Sequence, residues 1–251
     1  MNKTPFVHPR DSYPALLGEF YAGLNGAGAA EAARENQGEN WHCMSQVSRG
    51  DVLEKAGYSL MHIVDGEIYG SPGSIKLFET LAYPANPRVP GLLVLFNTNQ
   101  TEKTGRSVVV CIDLVNQTGE ANLAAQKIFA DALQPAYEKT GHAFGMRYKA
   151  EPGRILAGIA AECGVMDFFQ PEQTEPPLDA LLDATLEAYH QVVDMCRADE
   201  ATAADYEAVF RHRSRLVEWL MLEDIGIQFA RASGVPMAVI ENYGFPPAVR
   251  Y

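Results

Sequence analysis

Three arginines, Arg211, Arg213 and Arg215, fall within about one and a half turns of one periodic stretch near the end of the chain. Guanidinium groups that close together repel one another, and at the start of a helix they meet its positive end, so something anionic must neutralise them. Glu218, three residues beyond Arg215, can do this from within the helix; a bound carboxylate is the other answer. Asp113 stands at the end of Arg106–Leu114, a run apolar on both faces. A carboxyl group there loses hydration, which raises its pKa and suits it to act as a base, or it serves as an Asx residue capping the turn from Asn116 to Gly119. Tyr83 precedes a proline-rich connection and is either a packed aromatic or a proton donor. Arg154, after Pro152-Gly153, reads by itself as a loop residue. His42 beside Cys43 is not a metal pair, because adjacent side chains point apart on any regular backbone.

The elements that must position these groups follow from periodicity. Leu16, Leu17, Phe20, Tyr21 and Leu24 share a helical face within Pro14–Arg34, although Gly23, Gly26 and Gly28 weaken it. Glu35–Arg49 reads as a loop. Tyr58–Val64 reads as a strand leading into a hairpin of the Asp65-Gly66 type, and Phe78–Leu81 and Gly91–Phe96 as further strands. Between them, Tyr83–Pro90 holds too many prolines to be helical. Arg106–Leu114, apolar on both sides, predicts a central strand of a covered sheet. The period then changes to helical over Leu123–Tyr137, with a stop at Thr140-Gly141. Arg154–Phe169 has no clean period and leaves room for a strand near Ile155–Ile159. Leu178–Cys196 carries a clear helical stripe, Ala203–Ala232 predicts one long helix, and Met237–Glu241 a final strand. Hairpin-connected strands followed by long helices predict an α+β fold, an antiparallel sheet covered by helices on both faces, in a single domain over 1–251.

Composition narrows the function. With 251 residues and 47% hydrophobic content the chain can bury a sizeable core without disulfides. A formal net charge of −12 repels nucleic acid and anionic membranes as general partners, so an anionic substrate would need a local basic pocket. Cys43, Cys111, Cys163 and Cys196 are widely spaced, which fits reduced thiols in a cytoplasmic protein and gives no zinc or disulfide framework. The first residues lack an apolar leader, and no run reaches the length of a membrane span.

One resemblance is specific. Arg213-Ser-Arg-Leu-Val-Glu-Trp-Leu-Met-Leu-Glu-Asp-Ile-Gly-Ile, followed by Gly234 and the ending Pro246-Pro247-Ala-Val-Arg-Tyr251, resembles the C-terminal signature of the oxygen-dependent coproporphyrinogen III oxidases. Upstream, Glu54, Lys55, Gly57 and Ser59 match that family's VFEKGGVNFSHV segment, and Tyr83–Pro90, with Asn86, sits where the family has HPRNPYVP. Ile112-Asp113-Leu114 falls at the end of its GGGADLTP strand, and Glu151–Ile159 is faintly similar to EPRGIGGIF. The resemblance implies a large, flat, mostly antiparallel sheet sandwiched between helices, a fold shared with the ferredoxin-dependent bilin reductases, and a homodimer. It also implies oxidation of a carboxylated, electron-rich ring compound, a tetrapyrrole by default, with dioxygen as co-substrate and no obligatory cofactor or metal. Asp113 would then be the base or pyrrole anchor and Tyr83 a possible acid. Arg215 and Arg154 would be carboxylate clamps, with Arg213, Asn86 and Asn97 as further substrate contacts. The chain departs from the pattern at Tyr83 and Ala85, which replace a histidine and an arginine, and at Leu93, Leu95 and Asn97, where the family has HMNVR. The alternatives that the resemblance leaves are a bilin reductase and a tetrapyrrole-binding protein without catalysis.

Overall fold

The computed structural model describes residues 13–26, 28–68, 70–145, 161–170 and 176–250. Among the described residues seven strands, β1 (Arg34–Gln37), β2 (Trp41–Ser48), β3 (Leu53–Ile68), β4 (Ser71–Pro84), β5 (Gly91–Thr101), β6 (Gly105–Val115) and β7 (Ala161–Phe169), lie side by side in chain order. Every neighbouring pair is antiparallel. Among the described residues six α-helices cover the two faces: α1 (Tyr13–Asn25), α2 (Leu123–Tyr137), α3 (Leu178–Cys196), α4 (Ala203–Leu222), α5 (Ile225–Ala232) and α6 (Met237–Gly244). This is the α+β sandwich that the sequence predicts.

Strand alternation sends successive side chains to opposite faces. Phe78 and Ala82 of β4, with Val94 and Phe96 of β5 and Val108, Val110 and Ile112 of β6, meet α1, α2 and α3 in one cluster. Leu77, Leu81 and Tyr83 of the same β4, with Trp41, Cys43 and Val47 of β2, meet α5 and α6 in a second. Here α5 and α6 lie close on β3, while α4 packs chiefly against α5.

Several sequence expectations change. Residues Glu35–Arg49, read as a loop, form most of β1 and β2; in β2 the buried positions Trp41, Cys43, Ser45 and Val47 alternate with half-buried ones, and the polar residues among both obscure the pattern in the sequence. Asp65-Gly66 is no hairpin: β3 runs on to Ile68, and the pair forms a bulge between Ile63 and Gly66. Asp65 takes φ 55, and a Cβ on Gly66 would come within 2.6 Å of the Phe229 ring, so the bulge is the point where α5 presses on the sheet. β6 is next to the edge strand β7, and β4 is the central strand; β6 is apolar on both faces because helices cover the sheet out to its edge. The single helix expected over Ala203–Ala232 is two. Asp224 at φ −65 and ψ 116 leaves the helical path and accepts from Ile227 N at 2.7 Å, so it ends α4 and N-caps α5. Met237–Glu241 is helical rather than extended: Val239, Ile240 and Tyr243 recur on a helical face, and Pro236 starts the turn. The strand sought near Ile155 falls outside the described residues.

Candidate functional site

Between the sheet and α4–α6 lies a cavity of about 230 Å³. Its floor can be read from strand register. One row crosses the sheet as Ser45, Ser59, Glu79, Leu95, Cys111 and Met166, with Glu79 on the central strand. The row on one side holds Met61, Leu77, Asn97 and Val109, and the row on the other Leu81, Leu93 and Asp113. Its roof is a helical stripe of α4, His212, Leu216, Trp219 and Leu220, joined by Asp224, Ile227 and Phe229 at α5 and Ile240 and Tyr243 of α6. Across this space α4 presents the stripe's side chains to the sheet, while the break at Asp224 turns the chain back down onto β3.

Glu79 is the chemically decisive group. Its neighbours along β4 on the same face, Leu77 and Leu81, are apolar, and so is Leu95 beside it on β5. Burial, with Asp224 adding negative charge, pushes its carboxyl up from 4.5 to about 8, so it holds a proton at neutral pH. Asp224 is also raised by burial, against the opposing hydrogen bonds from the backbone N–H groups of Ile227 and Gly226. Three carboxyl groups, Glu79 and Asp113 on the floor and Asp224 at the roof, thus face one largely apolar cavity. His212 on the roof is neutral: burial, then Arg213 and Arg215, lower its imidazole to about 4. A pocket arranged this way can hand protons to a flat, apolar ligand lying between sheet and helices.

The residues singled out from sequence divide. Asp113 is buried on the cavity floor, and Asn97 lines the same floor. Tyr83 reaches the cavity too, but its hydroxyl donates to Gly244 O at 2.5 Å, and burial, then Glu79, against Arg213, hold its phenol far above the ordinary range. Its proton is committed to the end of α6. Beside it Lys55, lowered to about 8 by burial, donates to Glu241 O at 3.1 Å and to Phe245 O, so Tyr83 and Lys55 together satisfy the last carbonyls of α6. Arg213 is buried and spent within the protein. Its Nη1 donates to Glu54 Oε2 at 2.7 Å, its Nε to Gln117 Oε1 at 3.2 Å and its Nη2 to Pro84 O at 3.0 Å, and its guanidinium lies 5.7 Å from the centre of the Tyr83 ring. Arg215, the expected clamp, is exposed and does not line the cavity, since it sits off the stripe that His212 and Leu216 define. Asn86 donates to Arg197 O at 3.2 Å and Asp199 O at 2.9 Å, tying the Pro-rich connection to the end of α3. Arg154 lies outside the described residues. The anion that neutralises the arginine cluster is therefore Glu54 for Arg213, a partner on another element and not Glu218.

Glu79, Asp224 and His212 were not singled out from sequence. Glu79 had a signal: in Leu77-Phe-Glu-Thr-Leu-Ala-Tyr83 it is the one charged residue on an otherwise apolar alternation. Asp224 had one as well, an Asp two residues before a glycine inside a supposedly continuous helix. His212 had none beyond its place among the arginines.

No protein-family profile matches the sequence, and no curated protein matches it. Among solved structures the chain is similar to phytochromobilin synthase from tomato, solved in complex with biliverdin, with a TM-score of 0.59 and 12% identity over 95% of this chain and 86% of that one. The protein has a bilin reductase-like fold. At this identity the likeness is one of fold alone, and it supports the expected fold without supporting membership of the oxygen-dependent coproporphyrinogen oxidase family.

Proposed function

We propose that this protein is an oxidoreductase that reduces a linear tetrapyrrole, with Glu79 and Asp224 as proton donors on opposite faces of the bound ring system. The observation that carries this reading is the protonated Glu79 carboxyl at the centre of an apolar floor, opposed across the cavity by Asp224. A structural neighbour solved with biliverdin supports the class of ligand. Reduction of one double bond of a bilin takes two electrons and two protons. The electrons come one at a time from an external carrier such as reduced ferredoxin; Glu79 supplies one proton, and Asp224, a carboxylate at rest whose pKa burial raises, takes up the other from solvent and delivers it. An acid works best when its pKa lies near the working pH, and about 8 meets that condition for Glu79. The apolar lining keeps water from competing for the reduced intermediate.

The test is anaerobic incubation with biliverdin and reduced ferredoxin, followed by absorbance. The expected result is binding of biliverdin and its conversion to a product absorbing at shorter wavelength, with Glu79→Gln and Asp224→Asn each slower by about 10²- to 10⁴-fold. No binding, or full turnover in both variants, would sink the reading. The oxidative alternative keeps one supporting observation, Asp113 on the cavity floor. Incubation with coproporphyrinogen III in air tests it, and fluorescent vinyl porphyrin appearing there, dependent on Asp113, would replace the reductive reading.

A further inference from the structure

Two polar atoms at this cavity are left without hydrogen-bond partners among the described residues: His212 Nε2 on the roof and Asn97 Oδ1 on the floor. Both are shielded from solvent. A protein seldom leaves such groups unsatisfied, because burying a donor or acceptor without a partner forfeits its hydration with no return. Neither atom is explained by packing. Asn97 stands on β5 among Leu77, Val109 and Leu95, where an apolar residue would complete the floor. His212 heads the stripe His212, Leu216, Trp219 and Leu220, in which it is the one titratable side chain. Burial, then the nearby Arg213 and Arg215, keep the ring uncharged, so it carries one donor and one acceptor nitrogen.

Resting on the bilin reading, we infer that His212 and Asn97 are the orienting contacts for the ligand, gripping it from the two faces of the cavity. Asn97 Oδ1, an acceptor only, takes a ring N–H. His212 Nε2 pairs with a polar group of a neighbouring ring, accepting from an N–H or donating to a lactam carbonyl according to its tautomer. The ligand class this selects is a conjugated chain of rings bearing N–H and lactam groups along one edge, and an all-carbon aromatic of the same shape is bound weakly. Neither residue transfers a proton in this scheme; they set which double bond lies against Glu79.

Titrating biliverdin into the ligand-free wild type, His212→Phe and His212→Gln, with thermal unfolding of each, tests the assignment. The phenylalanine keeps a flat ring without nitrogens, and the glutamine amide restores a polar group close to where Nε2 stands. The expected result is about tenfold weaker binding by His212→Phe, partial recovery in His212→Gln, and a ligand-free melting temperature in His212→Phe that is unchanged or about 2 °C higher, because an unsatisfied nitrogen has been removed. Asn97→Leu gives the same opposed pair of effects. Equal binding by wild type and His212→Phe overturns the inference, and so does a lower ligand-free melting temperature, which would mean that the protein itself satisfies the nitrogen. If His212→Phe does not fold, His212→Gln decides, and binding weaker than wild type by more than tenfold counts against the inference. Wild type that does not bind biliverdin overturns the bilin reading first and this inference with it.

Discussion

Residues 79 and 80 are neighbours in one strand and live in different environments. Thr80 faces α1 and is fully satisfied: its hydroxyl donates to Gly57 O at 2.8 Å and pairs with the Tyr21 hydroxyl at 2.5 Å, with the Phe78 and Phe96 rings in tilted contact close by. Glu79 faces the helices of the C-terminal half across a cavity, with Asp224 at the roof adding negative charge. The same sheet therefore carries a face packed for stability and a face left incomplete. Stability is concentrated where apolar surface meets apolar surface, which allows the other face to hold buried acids that on their own would destabilise the fold.

This contrast can be broken from either side. On the packed face, Phe78 is fully buried, with its ring 4.9 Å from Tyr13 and 5.6 Å from Phe96. Phe78→Ala is expected to cost about 3–5 kcal/mol in denaturant unfolding, whereas Leu95→Ala, at the margin of an existing cavity, costs about 1–2 kcal/mol. Equal losses would mean that the second face is packed like the first. Next in size is the pH effect of Glu79. The folded protein holds this proton up to about pH 8 and the unfolded chain releases it near 4.5, so folding takes up a proton between those values. Stability is full below pH 4.5 and falls as pH rises through 8, by roughly a few kcal/mol, and Glu79→Gln removes the slope. A wild-type stability curve flat from pH 5 to 8 would show that the carboxyl is ionised in the folded state.

The arginines sharpen the same contrast at smaller scale. Arg213→Met abandons the buried ends of three hydrogen bonds and should cost about 2 kcal/mol, moderated because Glu54 is 42% exposed and can return to water. Arg215→Ala, on the solvent side of the same helix, should change stability by less than about 0.5 kcal/mol. Smallest of all, Asp224→Asn should leave stability within about 0.5 kcal/mol, since asparagine caps a helix as well as aspartate. It should nonetheless move the alkaline limb of Glu79 titration to lower pH by removing a neighbouring negative charge, which NMR or the pH–rate profile would read.

Most of the architecture was legible in the chain. Leu178–Cys196 and Leu123–Tyr137 show unbroken helical stripes, and Arg106–Leu114 shows a strand covered on both sides, because each burial pattern is a property of one contiguous segment. Three misreadings share a cause. Trp41–Ser48 pairs on both sides and needs its neighbours to be seen as a strand, Asp65-Gly66 becomes a bulge only because β3 and β4 continue past it, and Met237–Gly244 is helical because α6 docks end-on to Lys55 and Tyr83. The site was harder still. Asp113 and Asn97, which the resemblance assigned to the site, lie on the cavity floor, while the arginine cluster divided between the buried strut Arg213 and the exposed Arg215, since residues two apart on a helix point about 200° apart.

By itself the sequence determined the alternation that makes a two-faced sheet, the helices that cover it, and the presence of single acids among apolar neighbours. Only the tertiary structure decided that Glu79 and Asp224, some 145 residues apart in the chain, share one cavity, and that Arg215 does not. The reason is physical: periodicity tells which side of an element is buried, but which two buried sides meet, and whether space is left between them, depends on how far each helix stands off the sheet.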